Sequence, residues 1–370
     1  MAGLTLKSIL MSVPYLESSE EYKHPGGQLT AATQLVQHLR SVGINVIVTN
    51  TYGGSYPPKP LILKIGESLS RIITTWKLIK ENKIDVYFTF SGFDLSFFER
   101  IICCLIARAY SVTSLVYFRN STILSIEQAS LYHRLLTRML SVPTALVSQG
   151  TRLSSYLGSL TGQNVHVVKP WLSDDYSTIC EVKCSVREVR FVFVGWLEKK
   201  KGVIELIEAI VALNNMGYLF KVDFVGGGSL ESTLKAMMTT NNLTNVTLHG
   251  WLEPDKVKEI YRASQAFILP SYNEGFPNSL LEAMSFGLAP IVTPVGGIPD
   301  VINGVTNGML VEVMSATSII GSMEQYILDH ELLESHAREA LNTVRRDHRV
   351  NTSADHLVKI IENQLRRLDK

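Results

Sequence analysis

Very little in this chain is suited to cross-linking, membrane crossing or metal capture. Cysteine is scarce, with four in 370 residues. Cys103 and Cys104 are adjacent and Cys180 and Cys184 lie four apart, which gives neither a Cys-x-x-Cys pair nor a disulfide framework. The second spacing fits one helical turn, but no histidine stands close by in sequence, so core thiols and a linker coincidence describe these residues better than a metal site. No run approaches the roughly 20 apolar residues that a bilayer span needs. The most apolar one, IICCLIA at 101–107, is bracketed by Arg100 and Arg108 and reads as part of a buried helix. The opening MAGLTLKSILMSVPY lacks a signal-peptide cleavage pattern, so a cytoplasmic location is expected. No Gly-x-Gly-x-x-Gly follows the first strand-like segment, which argues against a plain dinucleotide-binding oxidoreductase. Solenoid repeats and low-complexity tracts are absent too.

What is present is globular. Hydrophobic residues make up 46% and charged residues 19%, too apolar for a disordered chain. The length exceeds one typical core and suits two domains. A net charge of +1 conceals an asymmetry: residues 1–172 hold sixteen Lys and Arg against nine Asp and Glu, or +7, leaving −6 for 173–370. A basic first half points to an anionic partner, with membrane headgroups or a diphosphate-linked lipid as candidates. Nucleic acid fits less well, because the arginines are scattered rather than clustered with aromatics.

Along the first half, strand and helix alternate. KSILMSVPY, INVIVTNT, IDVYFTFS, TSLVYFR, TALVSQGT and VHVVKPWL read as strands. TAATQLVQHLRSVG has helical periodicity, with Ala31, Leu35 and Leu39 on one face and Gly43 closing it, and FERIICCLIARAYS is a second helical stretch. The same grammar restarts at VRFVFVGWLEKKKG and continues through KVDFVGGG, NVTLHGWL, QAFILPSY, APIVTPVGG and GMLVEV. This predicts an α/β protein with parallel, doubly wound sheets. The expected domains are 1–172 and 189–345, joined by a linker at 173–188. A terminal helix over 346–370, with a stripe of Leu357, Ile360, Ile361 and Leu365, is free to pack back on the first domain. A ligand is best buried in a cleft between two such domains.

The most informative stretch is EGFPNSLLEAMSFGLAPIVTPVGGIPDVINGVTNGM at 274–309. An apolar strand ends just before it, and in open parallel sheets ligands collect beyond the C-terminal ends of strands. A helix starting near Asn278 offers backbone N–H groups and a dipole that favour an anion. Glu274 precedes that helix and Glu282 lies about four residues into it, roughly 6 Å along the axis. Carboxylates repel phosphate but accept hydrogen bonds from hydroxyls. An anion flanked by hydroxyl-bearing groups describes a nucleoside diphosphate sugar.

These residues resemble the retaining glycosyltransferases of the GT-B fold, in the large group called family 4. The signature is a glutamate, seven residues and a second glutamate, here Glu274 and Glu282 within EGFPNSLLE, followed by AMSFGLAPIV and the VGGIPDVI turn. The resemblance runs from about 189 to 312. It implies two Rossmann-like domains facing across a cleft, an acceptor-side first domain and a nucleotide-sugar-binding second domain. It also implies a role for each matching residue. Glu274 would hold hydroxyls of the donor sugar and stabilise charge at the anomeric carbon. Gly275, Phe276 and Pro277 would border the sugar, and Pro277 has no N–H to give. Asn278, Ser279 and Leu280 would present N–H groups to the diphosphate, and Glu282 would accept from the ribose hydroxyls. In FVGWLEKKKG, Gly195 ends a strand, and Lys201 matches the family's phosphate-neutralising lysine.

The chain departs from the family in two places. Trp196 stands where the family carries an arginine, so Lys199, Lys200 or Arg119 is the candidate substitute. The segment LVYFRNST has Arg119 and Asn120 where many relatives have a histidine, and this pair could orient the acceptor or bind phosphate. His24 reads as a solvated loop residue. In the Gly26-Gly27 turn, Gly27 is a further candidate for close approach to a phosphate. Gly226, Gly227 and Gly228 read as loop geometry, and Trp251 or Leu252 as cover for the nucleotide base. No Asp-x-Asp occurs, so neither a metal nor another cofactor is expected. The implied partners are a nucleotide-sugar donor and a saccharide or lipid-linked acceptor, met at the inner face of a membrane in surface polysaccharide or lipopolysaccharide assembly. Two alternatives are a transferase making a small soluble glycoside and a nucleotide-sugar-binding subunit that has lost catalysis.

Overall fold

The computed structural model describes residues 6–15, 27–51, 60–93, 95–120, 122–128, 130–172, 176 and 187–368. The chain divides into two compact units, one formed by Met1–Ser173 with Val350–Lys370 and the other by Asp174–Arg349. Gly26, His24, Cys180, Cys184 and most of the 173–188 linker lie outside the described residues.

The first unit holds one parallel sheet of β1 (Ser8–Val13), β2 (Asn45–Asn50), β3 (Val86–Ser91), β4 (Thr113–Phe118), β5 (Ala145–Ser148) and β6 (His166–Val167). Its order is β2-β1-β3-β4-β5-β6. β1, β3, β4 and β5 are buried along their whole length, as befits strands covered by helices on both faces. The connecting helices are α1 (Gly27–Ser41), α2 (Leu61–Glu81), α3 (Leu95–Ala109), α4 (Leu131–Met139) and α5 (Thr151–Thr161). One core, with Ile9, Leu35, Phe88 and Tyr117, lies on one face of the sheet. A second, with Leu10, Tyr87, Phe97 and Cys104, lies on the other. The alternation of Ile9 and Leu10 between them is the two-residue period of a strand.

α2 has no counterpart in the sequence reading, and α3 differs from it. The apolar residues of α2 fall on two sides of the helix, which blurs the single stripe that periodicity detects. In α3, Cys103 and Cys104 are buried while Ile102 and Leu105 are exposed, so the IICCLIA segment buries one side only.

The second unit holds β7 (Val189–Val194), β8 (Phe220–Val225), β9 (Val246–Leu248), β10 (Ala266–Leu269), β11 (Ala289–Val292) and β12 (Met309–Leu310). Between them run α6 (Val203–Asn215), α7 (Glu231–Thr240), α8 (Pro254–Ala263) and α9 (Asn278–Ser285), and then α10 (Ala316–Leu328) and α11 (His330–Asp347). The sheet order is β12-β11-β10-β7-β8-β9 and the pairings are parallel. Counted within this unit, that is the doubly wound order 3-2-1-4-5-6, whose direction of winding reverses between its first and fourth strands. Those strands are β7 and β10, and the crevice at their C-terminal ends is where this topology collects ligands.

α11 ends at Asp347, and a separate helix, α12 (Val350–Leu368), belongs to the first unit. Leu357, Ile360 and Ile361 join the core around α1, with Leu365 packed against it. Ser353 donates to the Lys169 carbonyl at 2.9 Å.

Candidate active site

Two loops meet at the β7/β10 crevice. After β7 the chain passes Gly195, Trp196 and a single 3₁₀ turn, Lys199–Lys201, before α6 begins at Val203. After β10 it runs through Pro270 to Pro277 and into α9. Gly202 joins them closely: its φ is +69°, and a Cβ there would lie 2.1 Å from the Pro270 carbonyl oxygen. The amide of Tyr272 donates to the Lys200 carbonyl at 2.8 Å, and the Tyr272 hydroxyl donates to Glu205 on α6 at 2.5 Å.

This docking sets Lys201 Nζ 2.5 Å from Glu274 Oε1. The Ser271 hydroxyl donates to the same oxygen at 2.7 Å, and Thr293, after β11, donates to the Ser271 carbonyl at 2.6 Å. Lys201 is 17% and Glu274 9% exposed, so the pair keeps a narrow contact with solvent in a setting where charge interactions exceed their bulk-water strength. Lys199 and Lys200 are exposed, and Lys200 pairs with Glu198 at 2.9 Å.

The Gly296-Gly297 turn holds the other side of the Glu274 loop. Gly296 has φ +58°, and a Cβ there would meet the Glu274 carbonyl oxygen at 2.1 Å. The amide of Gly297 donates to the Gly275 carbonyl at 2.9 Å. Only a residue without a side chain fits such an approach.

α9 starts at Asn278 with Pro277 at its N-cap and no side-chain cap. The Leu280 amide donates to the Pro277 carbonyl at 3.2 Å. That narrows the sequence expectation of three diphosphate-facing amides, because Leu280, itself fully buried, spends its N–H within the turn. The amides of Asn278 and Ser279 remain those at the helix mouth, where the dipole is most positive.

Glu282 lies one turn further on, partly buried. Burial pushes its pKa up to about 7, against the opposing pull of the Tyr261 hydroxyl and of the Lys258 charge. Tyr261, on α8, stands 3.3 Å from Glu282 Oε2 and 3.4 Å from the Ser279 carbonyl, with one proton to share between them. Its ring stacks on Phe286 at 5.6 Å.

Trp196 and Trp251 are both about half exposed and meet edge to face at 4.6 Å. Trp251 rests over Gly227, where a Cβ would lie 2.6 Å from the indole nitrogen. Phe276 stacks on His348 at 6.2 Å. Among the described residues no group of three or more His, Cys, Asp or Glu is placed to hold a metal ion.

The remaining candidates belong to the first unit. Gly27 opens α1. Arg119 follows β4, is 7% exposed, and its guanidinium sits over the rings of Phe90, Trp171 and Tyr117 at 4.9, 5.4 and 5.7 Å. Burial lowers its pKa. Gln149, in the amide orientation that satisfies both side chains, accepts from Arg119 Nη2 at 3.1 Å and donates to the Arg119 carbonyl at 3.0 Å. Among the described residues, Nε and Nη1 of Arg119 and Oδ1 of Asn120 are buried without a hydrogen-bond partner, an expensive state for a cation.

Sequence reasoning missed Ser271, Tyr261 and Gln149. Tyr261 and Gln149 act through partners on other elements, and Ser271 through Glu274 in its own loop, a contact that the loop's conformation and not its spacing decides.

Residues 184–343 match the protein family described as Glycosyl transferases group 1. Over 129 residues the chain is 33% identical to the amylovoran biosynthesis glycosyltransferase of Erwinia amylovora, covering 33% of this chain and 32% of that one. Across the curated relatives compared, the chain spans from about a third to just under half of their length. Among solved structures, sucrose-phosphate synthase from Thermosynechococcus elongatus superposes with a TM-score of 0.77 at 14% identity, covering 96% of this chain and 98% of that one. An Anabaena protein solved with UDP-glucose does so at 0.69 and 13% identity, covering 96% and 99%. At such identities the superpositions establish a shared fold.

Proposed function

We propose that this chain is a retaining glycosyltransferase of family 4. It moves a sugar from a nucleotide-sugar donor to a saccharide hydroxyl in surface polysaccharide or lipopolysaccharide assembly, working peripherally at the inner face of a membrane. The observation that carries this reading is the Lys201–Glu274 pair, set beside the mouth of α9 in the β7/β10 crevice. The likeness of residues 184–343 to Glycosyl transferases group 1 supports it, as does the polysaccharide role in the name of the Erwinia relative.

In this reading the donor diphosphate lies over the Asn278 and Ser279 amides, and Lys201 turns from Glu274 toward it. The bond from the anomeric carbon to the phosphate oxygen breaks, and the lysine and the helix mouth take up the charge on the departing diphosphate. Glu274, released from the lysine, accepts from sugar hydroxyls and favours positive charge at the anomeric carbon. The acceptor oxygen bonds to that carbon on the face the diphosphate leaves, and its proton passes to the departing phosphate oxygen. That route preserves configuration without a carboxylate nucleophile. Glu282 accepts from the ribose hydroxyls, and Arg119 and Asn120 are candidates to orient the acceptor or bind phosphate.

Purified protein incubated with a panel of nucleotide sugars tests the proposal, with the anomeric configuration of the product read by NMR. An inverted product removes the retaining assignment, and no binding or turnover with any donor sinks the whole reading. Trp196, in place of the family's arginine, favours one second reading, a nucleotide-sugar-binding subunit without turnover. Binding with neither hydrolysis nor transfer would identify that subunit.

A further inference from the structure

The first unit carries an apolar face that the proposed chemistry does not use. Along α2, Ile62, Ile65, Leu69, Ile73 and Trp76 recur every three or four residues and so share one side of the helix. All five are exposed, Ile62 to 82% and Leu69 to 55%. A different side serves the core, with Thr75 and Ile79 buried and Ile72 and Leu78 packed against it. The stripe is therefore not a misplaced core face, because the helix already has one.

The helix is held firmly in this orientation. Arg71 donates to Glu99 on α3 through Nε at 2.9 Å and Nη2 at 2.7 Å. Trp76 Nε1 donates to the Tyr110 hydroxyl, just past α3, at 3.0 Å. On α3, which α2 packs against through these contacts, Ile102 and Leu105 are exposed as well. The ring of Phe98 on α3 lies 6.4 Å from that of Tyr132 on α4, and α4 adds exposed Leu131 and Leu135. An apolar surface of this extent marks an interaction site.

The charges around it select the partner. Among the described residues of α2, α3 and α4, the exposed cations include Lys77, Lys80, Arg134 and Arg138, against exposed Glu81 and a partly exposed Glu67 that lies 4.0 Å from Arg71. A second copy pressed against this face would bring like charges together. An anionic surface would neutralise them, and apolar side chains fringed by Lys and Arg have the composition of an interfacial contact. No described helix is long and apolar enough to cross a membrane, which leaves contact in the plane of the surface.

We propose that α2, with the adjoining faces of α3 and α4, docks the protein on an anionic lipid bilayer. The stripe enters the headgroup–acyl boundary and the surrounding cations meet the lipid phosphates. This gives a surface to the peripheral role proposed above, on which it rests, but it does not depend on the donor site.

The test uses the full chain and sedimentation with vesicles of phosphatidylcholine, alone or with about one third phosphatidylglycerol. Wild-type protein should bind the anionic vesicles at least about tenfold better than the neutral ones, and lose that preference in roughly 0.5 M salt. Leu69→Glu with Ile73→Glu should abolish binding without lowering the melting temperature, since both positions are exposed. Lys77→Glu with Lys80→Glu should weaken it about tenfold. Equal binding to both vesicle types, or unimpaired binding by the Leu69/Ile73 variant, overturns the proposal. So does a wild-type dimer in light scattering that this variant converts to monomer, which would assign the face to a second copy. Melting-temperature shifts with the same panel of nucleotide sugars in these samples keep the two readings apart. A shift without vesicle binding defeats docking alone, whereas vesicle binding without nucleotide-sugar response supports docking and defeats the donor reading.

Discussion

Lys201 Nζ lies 2.5 Å from Glu274 Oε1, joining the loops that follow the two strands flanking the sheet's change of winding direction. Under the proposed function the pair is exchanged on binding: an incoming diphosphate would give the lysine a more highly charged partner, and the sugar hydroxyls would give the glutamate new donors. Lys201→Ala should therefore reduce donor turnover by at least about a hundredfold. It should also cost about 1–3 kcal/mol of stability, since Glu274 keeps only part of its hydrogen bonding in a sheltered place. Lys199→Ala, on an exposed side chain, should change either quantity little. Kinetics and chemical denaturation of the two variants check the contrast, and equal effects would count against the assignment of Lys201.

Glu282 should give the protein a pH dependence of definite sign. Its carboxyl is raised from an ordinary 4.5 to about 7 by burial, so the folded state binds the proton more tightly than the unfolded chain does. Its contribution is fully present below about pH 4.5 and is lost as pH rises through about 7, by about 1–2 kcal/mol given its partial exposure. Glu282→Gln should flatten denaturation midpoints across this window. If ribose hydroxyls prefer the carboxylate, a nucleotide-sugar donor found in the panel should also bind more tightly at pH 8 than at pH 6 and release a proton, which calorimetry in two buffers would detect.

Gly296→Ala should be costly for a geometric reason. The new Cβ would sit 2.1 Å from the Glu274 carbonyl oxygen, on a residue with φ +58°. About 2–4 kcal/mol of lost stability is expected, with weaker donor binding as the loop shifts. Gly217→Ala is the control: its φ is +85°, yet no described residue lies within 4 Å of its Cβ position, so only backbone strain of about 1–2 kcal/mol should appear.

Arg119 is buried among three rings, with two nitrogens that have no partner among the described residues. Replacing a buried charge by an apolar residue of similar length is often neutral or stabilising, so Arg119→Met should leave the melting temperature unchanged or raise it. If Arg119 contacts the acceptor, transfer should fall while nucleotide-sugar binding is kept. Unchanged transfer would confine its role to the core.

How much of this was legible in the sequence varies with range. The strands, the helix at Asn278 and the carboxylate frame follow from patterns within about ten residues, and the structure has each of them. α2 escaped notice because its two apolar sides overlap in one stretch of sequence. The terminal helix begins at Val350 rather than 346, since α11 runs on to Asp347. The Leu280 amide, which the family resemblance assigned to the diphosphate, is turned back to Pro277.

The sequence by itself determined the alternation of elements, the glycines at tight turns and the presence of two glutamates around a helix start, because each is written in neighbouring residues. Only the tertiary structure decided that Lys201 meets Glu274, 73 residues away, that Glu282 is desolvated beside Tyr261, and that one side of α2 faces solvent. Those outcomes depend on which strands pair and which helix faces are covered, and sheet order is set by packing among distant segments.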